Sequence, residues 1–299
     1  MSDMRVLLTG ASGFLGRPAL EALTNRGHEV LALSRQPAPV NLPAQVRWLK
    51  SDLNQPDSYR TAVTDFAPQS ALHLAWEGIP DFELPTCLRN LSNGAMLGEI
   101  LFRAGCRHLA VSGSCWEYGK VSGQIAEGCR PVAPGIFAAS KTSQRMLLES
   151  LATAAGATLA WGRVFYPYGP GQKASSLAPT LCRAVIGGER PALKTPAVVN
   201  DFLYVDDTAE ALVLLAETPV AGVCNIGSGV GTPVGALADM LLQLGGRPAE
   251  YGSACRSAGE AAGFFADMSA LEAIGWRPRT SLEEGLRRTL EAFRRELSC

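Results

Sequence analysis

Val6-Leu7-Leu8-Thr9-Gly10-Ala11-Ser12-Gly13-Phe14-Leu15-Gly16 sets the terms for the rest of this chain. An apolar run enters a turn with glycines at 10, 13 and 16, and the pattern from Pro18 to Arg26 is helical. A strand, a glycine-rich turn and a helix start in that order cradle an anion, because the first backbone N–H groups of a helix lack partners within it. Gly10 permits the sharp turn, Gly13 lets the backbone approach a pyrophosphate, and Gly16 allows the helix to pack closely on the sheet. Ser12, Phe14 and Leu15 complete the candidate loop. The same glycines would serve an ordinary strand–helix turn, but the βαβ setting at the start of the chain favours dinucleotide binding.

Working outward, Val30 to Leu33, Val46 to Leu49, Ala71 to Ala75 and Leu109 to Val111 are further short apolar runs. A helical stretch lies near Ala95 to Ala104. Strands that are apolar throughout, separated by helical patterns, belong to a parallel sheet covered on both faces. The expected fold is α/β, a doubly wound parallel sheet over residues 1–165. Beyond Arg163 the pattern loosens into Pro and Gly clusters at Pro167 to Gly171 and Gly187 to Pro191.

Composition narrows the function. The 299 residues include 27 Lys+Arg against 28 Asp+Glu, a net charge of −1 that gives no footprint for nucleic acid or an anionic membrane. A chain of this size, 47% hydrophobic, buries a core without disulfides or metal. Cys87, Cys106, Cys115, Cys129, Cys182, Cys224, Cys255 and Cys299 are scattered without a CxxC pair, and the histidines lack HxxxH spacing. No metal site is expected, and the thiols read as reduced, in a cytoplasmic protein. The first residues lack the order of a signal peptide, and the apolar runs fall short of the roughly 20 residues a membrane span needs.

The second strand ends in Ser34-Arg35, where an NAD-preferring site places a carboxylate for the ribose 2′-hydroxyl. An absent acid and an available guanidinium favour the 2′-phosphate of NADP, with NAD as the alternative. Asp52, after the third strand, is placed to accept from an adenine amine, although a turn aspartate would look the same.

Thr9 to Gly16, Asp52-Leu53, His73-Leu74-Ala75, Ser112-Gly113-Ser114, Tyr118-Gly119 and Lys141 together resemble a known family. Arg163, Tyr168-Gly169-Pro170, Asp201 to Asp207, Asn225 to Gly229 and Gly275-Trp276-Arg277-Pro278 extend the resemblance over nearly the whole chain. It is similar to the extended short-chain dehydrogenase/reductases, the NAD(P)-dependent epimerases, dehydratases and reductases of nucleotide sugars. The resemblance implies a Rossmann-like domain over 1–165 with a returning segment near 201–228. It implies a smaller substrate-binding lobe from 166–200 and 229–299, and a homodimer. Leu53, Leu74 and Ala75 join the implied cofactor contacts, and Lys141 would hold the nicotinamide ribose.

The family's catalytic set is a Ser or Thr, a Tyr, and a Lys four residues after that Tyr. Ser114 and Lys141 match, but the tyrosine position is Phe137. Residues i and i+4 share a helix face, so Phe137 should enter the site beside Lys141, where a phenyl ring neither gives nor takes a proton. Two origins fit: an engineered Tyr→Phe change that traps a substrate complex, or a native residue with the proton carried elsewhere. Tyr118, Tyr166 and Cys115 are then the candidate carriers.

Dehydrating relatives carry acidic residues where Cys115 and Trp116 stand, and an extended segment would turn Glu117 to the opposite side. Dehydration is disfavoured, leaving reduction of a keto-sugar, or epimerisation by oxidation and re-reduction. Cys115, Trp116 and Tyr166 are candidate substrate contacts alongside Ser114; Arg183, Lys194 and Arg256 are basic candidates for a diphosphate. Asp206-Asp207 are expected to cap the helix that follows. The rival reading is a dinucleotide-binding sensor or scaffold without catalysis.

Overall fold

A computed structural model describes residues 3–80, 82–252 and 263–298. Arg256, Cys255 and Cys299 lie outside the described residues. The strands are β1 (Arg5–Thr9), β2 (Glu29–Ser34), β3 (Val46–Lys50), β4 (Ser70–His73), β5 (His108–Ser114), β6 (Gly123–Ile125) and β7 (Thr158–Val164). They continue as β8 (Tyr166–Tyr168), β9 (Val199–Tyr204), β10 (Gly222–Ile226), β11 (Gly231–Pro233) and β12 (Phe264–Ala266). Among the helices, α1 (Gly16–Asn25), α2 (Arg60–Phe66), α3 (Leu84–Arg103) and α4 (Ile136–Ala154) precede α5 (Leu177–Ile186), α6 (Val205–Glu217) and α7 (Val234–Leu244).

One compact unit comprises residues 1–120, 129–164 and 209–224. Its sheet has seven strands in the order β10-β7-β5-β4-β1-β2-β3. The pairings β1–β2, β1–β4, β2–β3, β4–β5 and β5–β7 are parallel. Outward from β1 the chain runs first to β2 and β3, then crosses to β4 and β5, so β1 and β4 flank the point where strand order reverses. Ligands bind at such a reversal, beyond the carboxyl ends of the strands. The strands are buried because their runs are apolar on both faces: Val6, Leu7, Leu8, Val30, Leu31, Leu72 and Ala110 are all inaccessible or nearly so. One side packs Leu7, Leu33 and Val111 against Val63 and Phe66 of α2, Leu97 and Leu101 of α3, and Leu148 of α4.

The second unit comprises 121–128, 165–208 and 225–299. Residues 121–128 thus join it, and the segment returning to the first unit is 209–224 rather than 201–228. It holds a β11-β9-β8 sheet and a parallel β12–β6 pair. Asp201, wholly buried, organises it: its carboxylate accepts the Ser228, Gly229 and Ala266 N–H groups and the Ser228 hydroxyl. The Asp201 and Asn225-to-Gly229 motifs are thereby joined as one structural clamp.

Several expectations shift. Helix α3 begins at Leu84, well before Ala95, with Pro85 in its first turn where no N–H is needed. Asp206 and Asp207 lie inside the first turn of α6, favourable for the helix dipole, rather than capping it. Asp207 instead accepts from the Arg279 and Thr280 N–H groups. No described helix is long and apolar enough to cross a membrane.

Candidate active site

The loop after β1 is built so that side chains are excluded. Gly10 has φ 72°, and a Cβ there would lie 3.0 Å from the Ala75 nitrogen. A Cβ on Gly16 would stand 1.9 Å from the Gly10 carbonyl oxygen, and one on Gly13 3.0 Å from the same atom. Thr9 ties the loop to the next strand: its Oγ1 is 2.7 Å from His73 Nδ1 and accepts the Ala75 N–H. Burial, with Lys141 nearby, pushes His73 down to about 3, so its imidazole is neutral and structural. Bare backbone at the start of α1, which a Cβ would obstruct, fits the pyrophosphate of a dinucleotide. Phe14 and Leu15 are half-buried in this turn, as are Leu53, Leu74 and Ala75 beyond their strands.

Ser34 closes the second strand. Its hydroxyl lies 2.8 Å from that of Ser12 and accepts the Gln36 N–H. Arg35 is exposed and 3.5 Å from the Glu77 carboxylate. Asp52 accepts the Asn54 backbone and side-chain N–H groups, and the backbone bond holds its carboxyl below the usual range. That is an Asx turn, so at least one Asp52 oxygen already serves the loop.

At the end of β5, Cys115–Tyr118 forms a tight helical turn and not the extended segment expected from sequence. The reason is a capping box: Ser114 Oγ accepts the Trp116 N–H while Glu117 Oε1 accepts the Ser114 N–H. Glu117 is wholly buried and also receives Trp161 Nε1–H at 2.9 Å and Arg163 Nε–H at 3.1 Å. Arg163 lies near the end of β7, and its guanidinium sits 4.3 Å from the Tyr118 ring centre. Glu117 is therefore committed to structure. Tyr118 and Cys115 are buried, whereas Trp116 is 43% exposed.

Phe137 and Lys141 lie one turn apart on α4, as their spacing requires. Phe137 is enclosed by aromatic rings: Phe82 at 4.5 Å, Trp76 edge-on at 5.3 Å and Trp116 edge-on at 5.9 Å between centroids. The sequence reading missed this box, although Trp76 directly follows the His73-Leu74-Ala75 mark. Lys141 Nζ donates to the Ser112 carbonyl at 2.7 Å and stands 3.9 Å above the Trp76 ring. Burial pushes the Lys141 ammonium down to about 7, against opposing pulls from Glu117 and Cys87.

This depressed value has a stability signature. Between about 7 and the ordinary 10.5, the unfolded lysine holds a proton that the folded one has lost. Stability then rises with pH across that window, because the unfolded state binds more protons. Lys141→Met should abolish that rise. Urea midpoints of both proteins at either end of the window provide the check, and parallel pH profiles would refute it.

In the second unit, Tyr166 opens β8 opposite Phe202 of β9, with ring centres 6.0 Å apart. Arg183 donates to the Ala174 carbonyl, and Lys194 is exposed.

The chain compares with known proteins over most of its length. The profile of the "NAD dependent epimerase/dehydratase family" matches residues 6–227. A dTDP-L-rhamnose 4-epimerase of Burkholderia thailandensis is 23% identical, covering 94% of this chain and 93% of its own. A 3-diazoavenalumate denitrifying reductase of Streptomyces sp is 27% identical, covering 95% and 100%. The structure of MoeE5 in complex with UDP-glucose and NAD is 30% identical, with a TM-score of 0.82, covering 99% of this chain and all of that one.

Proposed function

Since the chain belongs to the NAD dependent epimerase/dehydratase family, we propose that it is an NADP-using keto-reductase or epimerase of a nucleotide-linked sugar. The observation that carries this is the side-chain-free cradle of Gly10, Gly13 and Gly16 in the same compact unit as Ser114 and Lys141. The dinucleotide, when bound, supplies hydride exchange at its nicotinamide ring. The chain's own residues do the rest. The first turn of α1 presents N–H groups to the pyrophosphate, and Lys141 orients the nicotinamide ribose. Ser114 retains a hydroxyl proton to donate to a substrate oxygen, because its own oxygen is the acceptor in the cap. Cys115 and Trp116 provide no carboxylate, which favours reduction or epimerisation over dehydration. A relative named as a dTDP-L-rhamnose 4-epimerase is consistent with epimerisation.

The enzyme is proposed to work in the cytoplasm as a homodimer. Exposed Leu88 of α3 and Met146 and Leu147 of α4 give the paired helices an apolar face for a second copy. Tyr166 is proposed as a substrate contact.

Incubation of the protein with NADPH and a nucleotide-linked keto-sugar tests this reading. A reductase consumes NADPH in proportion to the alcohol formed, whereas an epimerase, supplied instead with the hydroxy-sugar and oxidised NADP, returns the oxidised cofactor and the inverted sugar. Tight NADPH binding with neither product would point to a sensor or scaffold.

Cofactor choice rests on Arg35. A guanidinium contact to the 2′-phosphate is worth about 1–3 kcal/mol, and Glu77 competes for it. NADPH should bind more tightly than NADH, and Arg35→Ala should remove most of the difference. Calorimetric titration of both cofactors decides; equal affinities unchanged by the substitution would exclude the assignment.

A further inference from the structure

Trp76 carries a feature that the dinucleotide cradle, Ser114 and Lys141 leave unexplained. Its indole Nε1–H is buried and has no hydrogen-bond partner. A buried donor left unpaired costs about 1–3 kcal/mol, so native proteins rarely retain one without a use. The neighbours of this indole place it at the chemistry. Its ring meets Phe137 edge-on at 5.3 Å, and Lys141 Nζ stands 3.9 Å above its face. It follows directly on Leu74 and Ala75, beyond β4 at the strand reversal. Trp161, the other tryptophan near Lys141, already spends its N–H on Glu117.

We propose that the Trp76 indole N–H is an oxyanion donor, holding the reacting oxygen of the bound substrate where the Phe137 ring offers no hydroxyl. This rests on the hydride-transfer reading of the site and names a residue for it. A carbonyl that accepts hydride places negative charge on its oxygen, and a fixed donor in an apolar, water-poor enclosure stabilises that charge more than water would. Below about pH 7, where Lys141 is protonated, its ammonium over the indole face draws electron density from the ring and strengthens the N–H as a donor. The indole transfers no proton and contributes only the hydrogen bond; the alkoxide takes its proton from the Ser114 hydroxyl, which regains one from water. Ser114 supplies the second donor, so the oxygen is held from two directions without a hydroxyl at position 137.

The direct test removes one N–H and little else. Benzothienylalanine at position 76, and Trp76→Phe, each keep an aromatic face under Lys141 and delete the donor. With NADPH and UDP-4-keto-6-deoxyglucose, kcat should fall at least about 10-fold in both, towards the roughly 10²–10³ typical of a lost oxyanion donor. The NADPH dissociation constant should stay within about twofold, since the donor faces the substrate oxygen. Independently of turnover, the Trp76 indole proton should move downfield when the keto-sugar joins oxidised NADP in the complex. An unmoved resonance or an unchanged kcat would overturn the proposal. Weaker NADPH binding with kcat unchanged would overturn it too, assigning the N–H to the cofactor. If the unsubstituted protein neither binds nor turns over the keto-sugar, the sugar reading itself has failed, and this donor role fails with it.

Discussion

Phe137→Tyr should raise turnover of a matched keto-sugar at least about 100-fold, within the range that a placed general acid supplies. Hydride addition leaves an alkoxide unless a proton arrives, and the phenyl ring of Phe137 has none to give. Lys141, one helical turn on, supplies below about pH 7, where it is protonated, the positive field that would lower a tyrosine's pKa. Its ammonium already sits at the aromatic box, above Trp76 and against the Ser112 carbonyl. The gain should appear in the hydride-transfer step with little change in cofactor affinity, because the cradle of Gly10 to Gly16 is untouched. The new hydroxyl enters an apolar box and so needs Lys141, Ser114 or the ribose as a partner. Single-turnover rates of both proteins at saturating NADPH give the comparison. A Phe137 protein already fully active and unimproved by the hydroxyl would show that the proton comes from elsewhere.

Glu117→Ala should be the most damaging single change to stability. Its wholly buried carboxylate holds the Ser114 N–H, the Trp161 indole and the Arg163 guanidinium at once. Removing one partner of a buried ion pair leaves the other charged and unpaired, at about 3–5 kcal/mol. Arg163 is 1% exposed, and its Nη1 already lacks a partner, so little solvent is at hand to compensate. Glu117→Gln should cost less, because an amide oxygen still accepts two of the three bonds. Urea midpoints of the three proteins provide the measurement. A loss below about 1 kcal/mol for Glu117→Ala, the size of an exposed pair, would mean that the pair is not desolvated.

The two changes mark what the sequence could reveal and what it could not. Strands β1, β2, β4 and β5 were legible because parallel strands covered on both faces are built on apolar runs. Strand β3, at the sheet edge with Arg47 and Lys50 exposed, was legible from Val46, Trp48 and Leu49 alone. The glycine loop was legible because only glycine fits where a Cβ would strike the Gly10 carbonyl. Phe137 and Lys141 were legible as neighbours because helical spacing is local. Glu117 was misplaced because the Cys115–Tyr118 turn depends on its own capping box and on Arg163, 46 residues away. The aromatic box joins Trp76, Phe82, Trp116 and Phe137 from separate segments, a coincidence that no local period reports. The start of α3 was missed because its first turns mix apolar and polar residues, and only Pro85 signals the beginning. The short strands β6 and β12 carry no alternation long enough to read.

Isotope transfer probes the proposed chemistry without reference to any one side chain. NADPH carrying deuterium at the transferable position of its nicotinamide is mixed with the protein and a nucleotide-linked keto-sugar, and the product is examined by mass spectrometry and NMR. Hydride transfer at this site predicts deuterium at one sugar carbon with one oxidised cofactor formed per label, in one configuration for a reductase and in both for an epimerase. A protein that binds the cofactor yet leaves the sugar unlabelled would contradict it.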